Sequence, residues 1–299
     1  MRSLCNILDC FFAPFIEREG MDPIPASAVK QLASNVEALF IFSLVWSVGA
    51  TCDGEGRKKF DVFLRDLCAA SGSQLVLPSK GLLYEYMWDQ QKATWVEWMS
   101  TIPPYKVDSR KNFADIIVPT SDSVCYTYLL DLLIVNQKQP LCIGQTGTGK
   151  TVTIVEKLMK GLPETYDPIF IAFSAQTSEN QTQDLLDSKF DKRRKGVYGA
   201  PAGKRFVIFV DDLNMPARQK YGAQPPIELL RQWMDHRGWF DRRDKDLPFM
   251  NIIDIQFVTA MGPPGGGRNP VTNRFVRHFN MITFADLSDI SMKVLFTLK

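Results

Sequence analysis

A glycine-rich octapeptide constrains the fold of this chain more than any other feature. Residues 144–151 read Gly-Gln-Thr-Gly-Thr-Gly-Lys-Thr and follow directly on the apolar run 141–143. The spacing matches the phosphate-binding loop pattern, in which two glycines precede a lysine and a serine or threonine. A chain of this composition gives roughly 0.01 such matches by chance, before a strand and a helix around the motif are also required. We therefore expect a strand, a phosphate-binding loop and a helix in succession.

The residue types of this loop suit the binding of a nucleotide. Glycines allow backbone N–H groups to point inward, and the N-terminus of the following helix attracts phosphate. We expect Lys150 to reach the terminal phosphates and the hydroxyl of Thr151 to bind Mg²⁺. The residues predicted to contact the nucleotide are Gly144, Gln145, Thr146, Gly147, Thr148, Gly149, Lys150 and Thr151.

A second motif follows the wholly apolar segment 206–210, which ends in Asp211 and Asp212. A buried central strand delivers such carboxylates to the sheet edge where phosphates bind. We expect Asp211 to hold magnesium through its water shell. Asp212 stands where a general base would polarise the attacking water, so Asp212 and Lys150 are the predicted catalytic residues. Taken alone, the two acids could equally belong to a turn, and the phosphate-binding loop favours the magnesium site.

The segment 113–285 alternates short apolar runs with helical patterns, which is typical of an α/β fold with a parallel sheet. We predict five strands, flanked by helices, at 141–143, 169–173, 206–210, 253–258 and 281–284. The helix after the phosphate-binding loop is predicted to end at Gly161. Its predicted apolar face consists of Val152, Val155, Leu158 and Met159.

Several polar residues near the later strands are weaker candidates. Thr259 and Asn269 flank the last glycine-rich stretch and could sense the terminal phosphate. Arg274 and Arg277 precede the last strand, where ring-forming NTPases present an arginine to the neighbouring nucleotide. For each arginine, a surface position near a helix end is an equally good interpretation. The basic cluster at 189–195 contains two aspartates and is predicted to be a solvated loop.

The first 112 residues are predicted to be mainly helical, with a small β-hairpin. Helical patterns cover 1–15, the segment after Ser27, and 57–68. The segment after Ser27 is predicted to bury Leu32, Val36, Leu39, Phe40, Ser43 and Trp46. The helix at 57–68 is predicted to place Phe60, Phe63, Leu64 and Leu67 on one side. Aromatic residues on both sides of a polar stretch predict a hairpin between Leu82 and Trp98.

Composition excludes several classes of protein. The formal net charge is +2 and 45% of residues are hydrophobic, so the chain can build a core and has no general attraction to nucleic acid or anionic membranes. The longest uncharged run, 38–52, is shorter than the about 20 residues that span a bilayer and is predicted to be a buried helix. The N-terminus lacks the features of a secretory signal. The six cysteines form no CxxC pair and are expected to be reduced, without a zinc site.

These motifs together resemble the dynein heavy chains, and more closely their axonemal branch. The loop 144–151, the segment 210–216 and the stretch 261–270 are similar to the third AAA+ module of that motor. The segments 42–49 and 95–98 are similar to the end of the second module and the link into the third. The resemblance covers nearly the whole chain.

The resemblance implies a domain organisation and a cellular setting. Residues 1–112 would be the end of the second module, 113–285 the P-loop AAA+ nucleotide-binding domain of the third, and 286–299 the truncated start of its lid. The chain would then be a fragment or short isoform. It implies ATP or ADP with Mg²⁺ as ligands, and neighbouring AAA+ modules and other axonemal dynein subunits as partners. Microtubules would be contacted only indirectly, and nucleic acid and membrane not at all. The implied location is the cytoplasm, cytoskeleton and cilium axoneme.

Two departures from the family pattern bear on catalysis. Asp212 stands where many AAA+ enzymes have glutamate, and one methylene less lengthens the path to the attacking water. Met261 or Gly262 stands where the sensor strand usually ends in asparagine. Both favour a regulatory module that binds nucleotide and hydrolyses it slowly or not at all. The alternatives are a freestanding P-loop ATPase or phosphotransferase, and a catalytically silent interaction fragment of the axonemal dynein complex.

Overall fold

A computed structural model of the chain describes residues 1–13, 26–103, 105, 117–286 and 292–293. Contacts divide the chain into two compact units. The first contains the residues up to Leu132 and those from Met281 onward, and the second is Leu133–Asn280. The predicted boundary at residue 112 and most of the predicted lid start lie outside the described residues, so these domain limits stay a prediction.

The first unit begins with three helices, α1 (Arg2–Phe12), α2 (Ala26–Val45) and α3 (Gly54–Ala70). Helix α1 is amphipathic, and its buried residues Leu4, Ile7, Cys10 and Phe11 recur every three or four positions. The rings of Phe11 and Phe42 meet edge to face with their centroids 5.6 Å apart. This part of the chain is therefore mainly helical, as predicted.

Helix α2 ends earlier than the uncharged run 38–52 predicts. It stops at Val45, and a short 3₁₀ turn follows at Gly49–Thr51. The hydroxyl of Tyr84 donates a 2.9 Å hydrogen bond to the carbonyl of Gly49. A Cβ at this glycine would lie 2.2 Å from the same hydroxyl oxygen, so close packing requires glycine here. Val36 and Phe40, predicted on the buried face, are exposed.

The buried face of α3 also differs from the predicted one. Phe63 and Leu67 are exposed, whereas Arg57, Asp61, Leu64 and Cys68 are buried. The carboxylate of Asp61 accepts a 2.7 Å hydrogen bond from the backbone N–H of Leu83 and a second from Arg65. Polar partners from other segments therefore select the face of this helix, against its apolar pattern.

The predicted hairpin is present as strands β1 (Tyr86–Asp89) and β2 (Thr94–Glu97), which pair antiparallel. Trp88 lies opposite Trp95, and their ring centroids are 5.2 Å apart. Short 3₁₀ turns at Leu83–Glu85 and Trp98–Thr101 flank the hairpin. Helix α4 (Ser121–Val135) leads from this part of the chain towards the second unit.

The main sheet has five parallel strands, as the sequence predicts. They are β3 (Gln139–Ile143), β4 (Tyr166–Ala172), β7 (Arg205–Asp211), β10 (Ile255–Met261) and β11 (Phe279–Thr283). Their order across the sheet is β11-β3-β10-β7-β4. Strand β10 is buried along its whole length. It separates β3 from β7, so the carboxyl ends of these two strands lie on either side of it.

A second, four-stranded sheet was not predicted. Its strands are β5 (Asp191–Arg194), β6 (Val197–Gly199), β8 (Gly238–Phe240) and β9 (Phe249–Ile253), in the order β5-β6-β9-β8. The prediction of a loop at 189–195 was therefore wrong for β5, although that strand is fully exposed. Ile253 ends β9 and does not begin the strand of the main sheet. The chain turns between β9 and the main-sheet strand β10 at Asp254, which has a φ of 56°.

Four helices accompany the sheets of the second unit, α5 (Lys150–Lys160), α6 (Glu179–Asp187), α7 (Pro225–His236) and α8 (Asn273–Val276). Helix α5 ends at Lys160 with Gly161 as its C-cap, in agreement with the predicted end. Its predicted apolar face was wrong at Val152 and Met159, which are exposed, whereas Leu158 is buried as predicted. Ile154, which was not predicted on this face, is also buried. No helix in the described ranges has the length and apolar character needed to cross a bilayer.

Candidate functional site: the phosphate-binding loop and its acidic strand

The phosphate-binding loop joins β3 to α5 and has the backbone that its glycines predict. Gly147 and Gly149 have φ values of 89° and 77°, in the region that favours glycine. A Cβ at either position would point into open space. Within the described chain, the backbone N–H groups of residues 145–149 donate to no backbone carbonyl. The loop therefore offers a row of N–H donors beside a helix N-terminus, which is the donor set that phosphate oxygens require.

The lysine of the motif lies over the loop itself. Its Nζ donates hydrogen bonds of 2.7 Å to the carbonyl of Gly144 and 2.6 Å to that of Gln145. Thr148 Oγ1 donates a 2.9 Å bond to the same Gln145 carbonyl. Partial burial lowers the pKa of Lys150, and the nearby Asp211 opposes that shift. The Lys150 ammonium is thus held at the inner edge of the loop.

The two predicted magnesium residues lie in direct contact. Thr151 Oγ1 donates a 2.7 Å hydrogen bond to Asp211 Oδ2. Asp211 ends β7, and Thr151 lies in the first turn of α5. A hydroxyl and a carboxylate at one point form an oxygen donor pair of the kind that Mg²⁺ takes up. The residues present therefore fit a magnesium ion accompanied by phosphates.

Asp212 lies immediately beyond the strand in a left-handed backbone conformation, with a φ of 49°. This conformation is uncommon for residues other than glycine, and aspartate tolerates it better than most. The backbone N–H of Asp212 donates a 2.9 Å hydrogen bond to Asp211 Oδ1. The side chain of Asp212 is 46% exposed.

An arginine that the sequence analysis did not select reaches this site. Arg268 Nη2 lies 3.5 Å from Asp212 Oδ1 and 3.4 Å from Thr146 Oγ1. It thus extends from the acidic strand to the phosphate-binding loop. The signal in the sequence was the glycine-rich stretch 262–267, which directly precedes this residue, but spacing gave no reason to choose Arg268 over its neighbours.

The two weak sensor candidates lie elsewhere in the second unit. Thr259 is fully buried inside β10, and its Oγ1 donates a 3.3 Å hydrogen bond to the carbonyl of Pro140. Asn269 Nδ2 donates a 3.0 Å hydrogen bond to the carbonyl of Pro216. Both side chains therefore support the backbone around the site.

The two candidate inter-module arginines lie next to helix α7. Arg274 pairs with Glu228 at 3.0 Å, and Arg277 pairs with Asp235 at 2.8 Å. Burial would raise the pKa of Asp235, but hydrogen bonds from Arg277 and Arg231 outweigh it, and the pKa is lowered. Both arginine side chains are 57% exposed. They lie on the surface of the second unit, and a role towards a neighbouring module stays a prediction.

Comparison with known proteins agrees with this geometry. Residues 105–287 match the family model of the P-loop containing dynein motor region, and residues 1–100 match that of the dynein heavy chain AAA lid domain. Dynein axonemal heavy chain 1 of Homo sapiens is 50% identical over 99% of this chain. Dynein axonemal heavy chain 12 of Mus musculus is 48% identical over 87% of it, and dynein axonemal heavy chain 3 of Homo sapiens is 41% identical over 99%.

The aligned region is a small part of each relative. This chain spans 7% of human heavy chain 1, 9% of mouse heavy chain 12 and 8% of human heavy chain 3. The matched motor-region model covers the phosphate-binding loop, both aspartates and Arg268. With more than half of its residues in that model, the chain belongs to the dynein heavy chain family and carries part of its P-loop motor region.

Proposed function

We propose that this chain binds ATP or ADP with Mg²⁺ and acts as a regulatory AAA+ part of a dynein heavy chain. The observation that carries the proposal is the 2.7 Å contact between Thr151 and Asp211, next to a loop in which the N–H groups of residues 145–149 donate to no backbone carbonyl of the described residues. An oxygen donor pair beside an anion-binding loop suits a metal ion and a phosphate chain bound together.

Each site residue has a separate proposed role. The backbone of residues 144–149 would hold the phosphates, and Lys150 would leave the loop carbonyls to pair with them. Thr151 and Asp211 would hold the magnesium ion, which when bound neutralises phosphate charge. Asp212 would orient and deprotonate the attacking water.

Slow hydrolysis follows from the position of Asp212. Its side chain is one methylene shorter than that of glutamate, so its carboxylate stands farther from the attacking water. A displacement of about 1 Å from the reactive position can cost about a hundredfold in rate. The site would therefore hold nucleotide for long periods, which suits a regulatory role better than that of a main motor site.

The family relationship supports a proposed setting. The relatives are axonemal heavy chains by name, so we propose neighbouring AAA+ modules and other axonemal dynein subunits as partners. The proposed location is the axoneme of the cilium, within the cytoskeleton. Contact with microtubules would be indirect, and through it the site would influence ciliary movement.

The test is calorimetric titration of the 299-residue chain with MgATP and MgADP. Lys150→Ala should abolish binding of both nucleotides. The matched control is Lys160→Ala on the same helix, whose exposed ammonium pairs with Glu156 at 3.7 Å. It should bind like the wild type. Equal affinity of Lys150→Ala and the wild type, or no binding by the wild type, would overturn the proposal.

A further inference from the structure

Arg268 occupies a defined position between the two halves of the site. Its guanidinium lies near Asp212 on one side and Thr146 on the other, at 3.5 Å and 3.4 Å. Asp212 is the proposed base for the attacking water, and Thr146 belongs to the phosphate-binding loop. The attacking water and the terminal phosphate must lie next to one another during hydrolysis. A cation beside both residues is therefore adjacent to the terminal phosphate and remote from the nucleoside.

The backbone that carries Arg268 is held firmly. The N–H and carbonyl groups of Gly265 and Arg268 form two reciprocal hydrogen bonds of 3.0 Å, which close a tight turn. The next residue, Asn269, donates its backbone N–H to the carbonyl of Asn214 at 3.0 Å. The base of the side chain is thus fixed, and movement is confined to the side chain itself.

Gly262 provides the space in which the Arg268 side chain lies. A Cβ at Gly262 would be 2.6 Å from both Cδ and Nε of Arg268. The carbonyl of the same glycine accepts a 2.8 Å hydrogen bond from the buried side chain of Asn214. Strand β10 therefore contributes no polar side chain at its end to the site. The positively charged guanidinium of Arg268 lies there instead.

The two contacts of the Arg268 guanidinium are weak. Both are at the long limit of a hydrogen bond, and the Asp212 side chain is 46% exposed, so their attraction is weakened by water. The Nε atom of Arg268 is buried and has no hydrogen-bond partner among the residues that the structure describes. Moving the head group therefore breaks no bond at Nε. A phosphate group offers more charge and several acceptor oxygens, and guanidinium groups bind it through paired hydrogen bonds.

We propose that Arg268 binds the terminal phosphate of ATP and gives this site its preference for ATP over ADP. The inference rests on the proposed function, since it needs the loop to bind nucleotide. On binding, the guanidinium leaves Asp212 for the γ-phosphate oxygens and releases the carboxylate to face water. ADP lacks that phosphate, so with ADP the Arg268–Asp212 contact persists.

The experiment compares the affinities of the 299-residue chain for MgADP and for a magnesium complex of a non-hydrolysable ATP analogue. Arg268→Gln should weaken binding of the ATP analogue by about tenfold or more, because a charged hydrogen bond is lost. MgADP affinity should change by less than about twofold, which also shows that the variant site is folded. Arg268→Lys should lie between Arg268→Gln and the wild type. Arg194→Gln, in the exposed strand β5, is the control and should match the wild type.

Gly262→Ala tests the same point with the arginine still present. The new methyl group would displace the Arg268 side chain, so it should reduce the preference for the ATP analogue without reducing MgADP affinity. If the ratio of the two affinities is unchanged in Arg268→Gln while Lys150→Ala abolishes binding of both, Arg268 has no such role and the nucleotide site stands. If the wild type binds neither nucleotide, the proposed function fails and this inference fails with it.

Discussion

Thr151 and Asp211 are sixty residues apart in the chain, and the hydroxyl of the first donates a 2.7 Å hydrogen bond to the carboxylate of the second. The sheet order explains this contact. Strands β3 and β7 flank β10 in parallel register, so their carboxyl ends open onto the same edge. The first turn of α5 and the end of β7 therefore meet there.

Asp211→Asn tests whether this pair holds a metal ion. The substitution keeps the size of the side chain and removes its charge, so the site should hold Mg²⁺ less strongly. We expect MgATP affinity to fall by about tenfold or more, and the difference in affinity with and without Mg²⁺ to disappear. Calorimetry in magnesium and in EDTA measures both. Asp167→Asn, on the edge strand β4, serves as the control. A variant that still needs Mg²⁺ as much as the wild type would show that Asp211 holds no metal.

Asp212→Glu tests whether the short acid limits hydrolysis. One added methylene brings the carboxylate nearer to the attacking water, and a shift of about 1 Å is worth up to about a hundredfold in rate. Steady-state phosphate release should rise by about tenfold, with nucleotide affinity little changed. Asp212→Asn should release no phosphate above background. A glutamate variant that is no faster than the wild type would mean that another feature limits the reaction.

Arg57 is expected to stabilise the first unit. It is buried, its Nη2 donates a 2.7 Å hydrogen bond to the carbonyl of Thr283, and its guanidinium lies 5.0 Å from the ring centroid of Tyr84. Arg57→Ala removes these contacts and leaves the Thr283 carbonyl with one donor fewer. The free energy of unfolding should fall by about 3 kcal/mol in urea titrations. Lys58→Ala, at the next position and exposed, should leave it unchanged. Equal stability of both variants would contradict this role.

Cys142 should make stability depend on alkaline pH. Burial in β3 raises the pKa of this thiol to about 12 from an ordinary value of 9.0. The unfolded chain loses the proton near pH 9 while the folded chain retains it, so the stabilising contribution declines from about pH 9 upward.

The measurement is the difference in unfolding free energy between the wild type and Cys142→Ala. This difference should shrink by about 1.4 kcal/mol between pH 8 and pH 10, because one proton is released only by the unfolded wild type. Val207→Ala, in the buried part of β7, removes no titrating group, and its difference from the wild type should stay constant. A constant difference for Cys142→Ala as well would refute the raised pKa.

Local patterns predicted the central strands of the main sheet well because β3, β7 and β10 are largely apolar and buried. Segment 206–210 is such a run, and it forms the buried part of β7. The same reasoning failed at β5, where the residues Asp191–Arg194 are all exposed and carry no hydrophobic signal. It also failed on α3, where Asp61 is buried because it accepts a hydrogen bond from the distant Leu83. Hydrophobic periodicity predicts the buried face of an element only where the buried side chains are apolar.

The sequence by itself determined the phosphate-binding loop and the acidic pair. The backbone of Gly147 and Gly149, the start of α5 at Lys150 and the end of β7 at Asp211 all depend on neighbouring residues in the chain. Tertiary structure alone decided which side chain lies opposite Asp212. Arg268 reaches that place because β10 ends at Met261, Gly262 leaves space, and the turn at Gly265 directs the side chain back. Such a contact depends on the sheet order and on packing between distant segments, which no local pattern encodes.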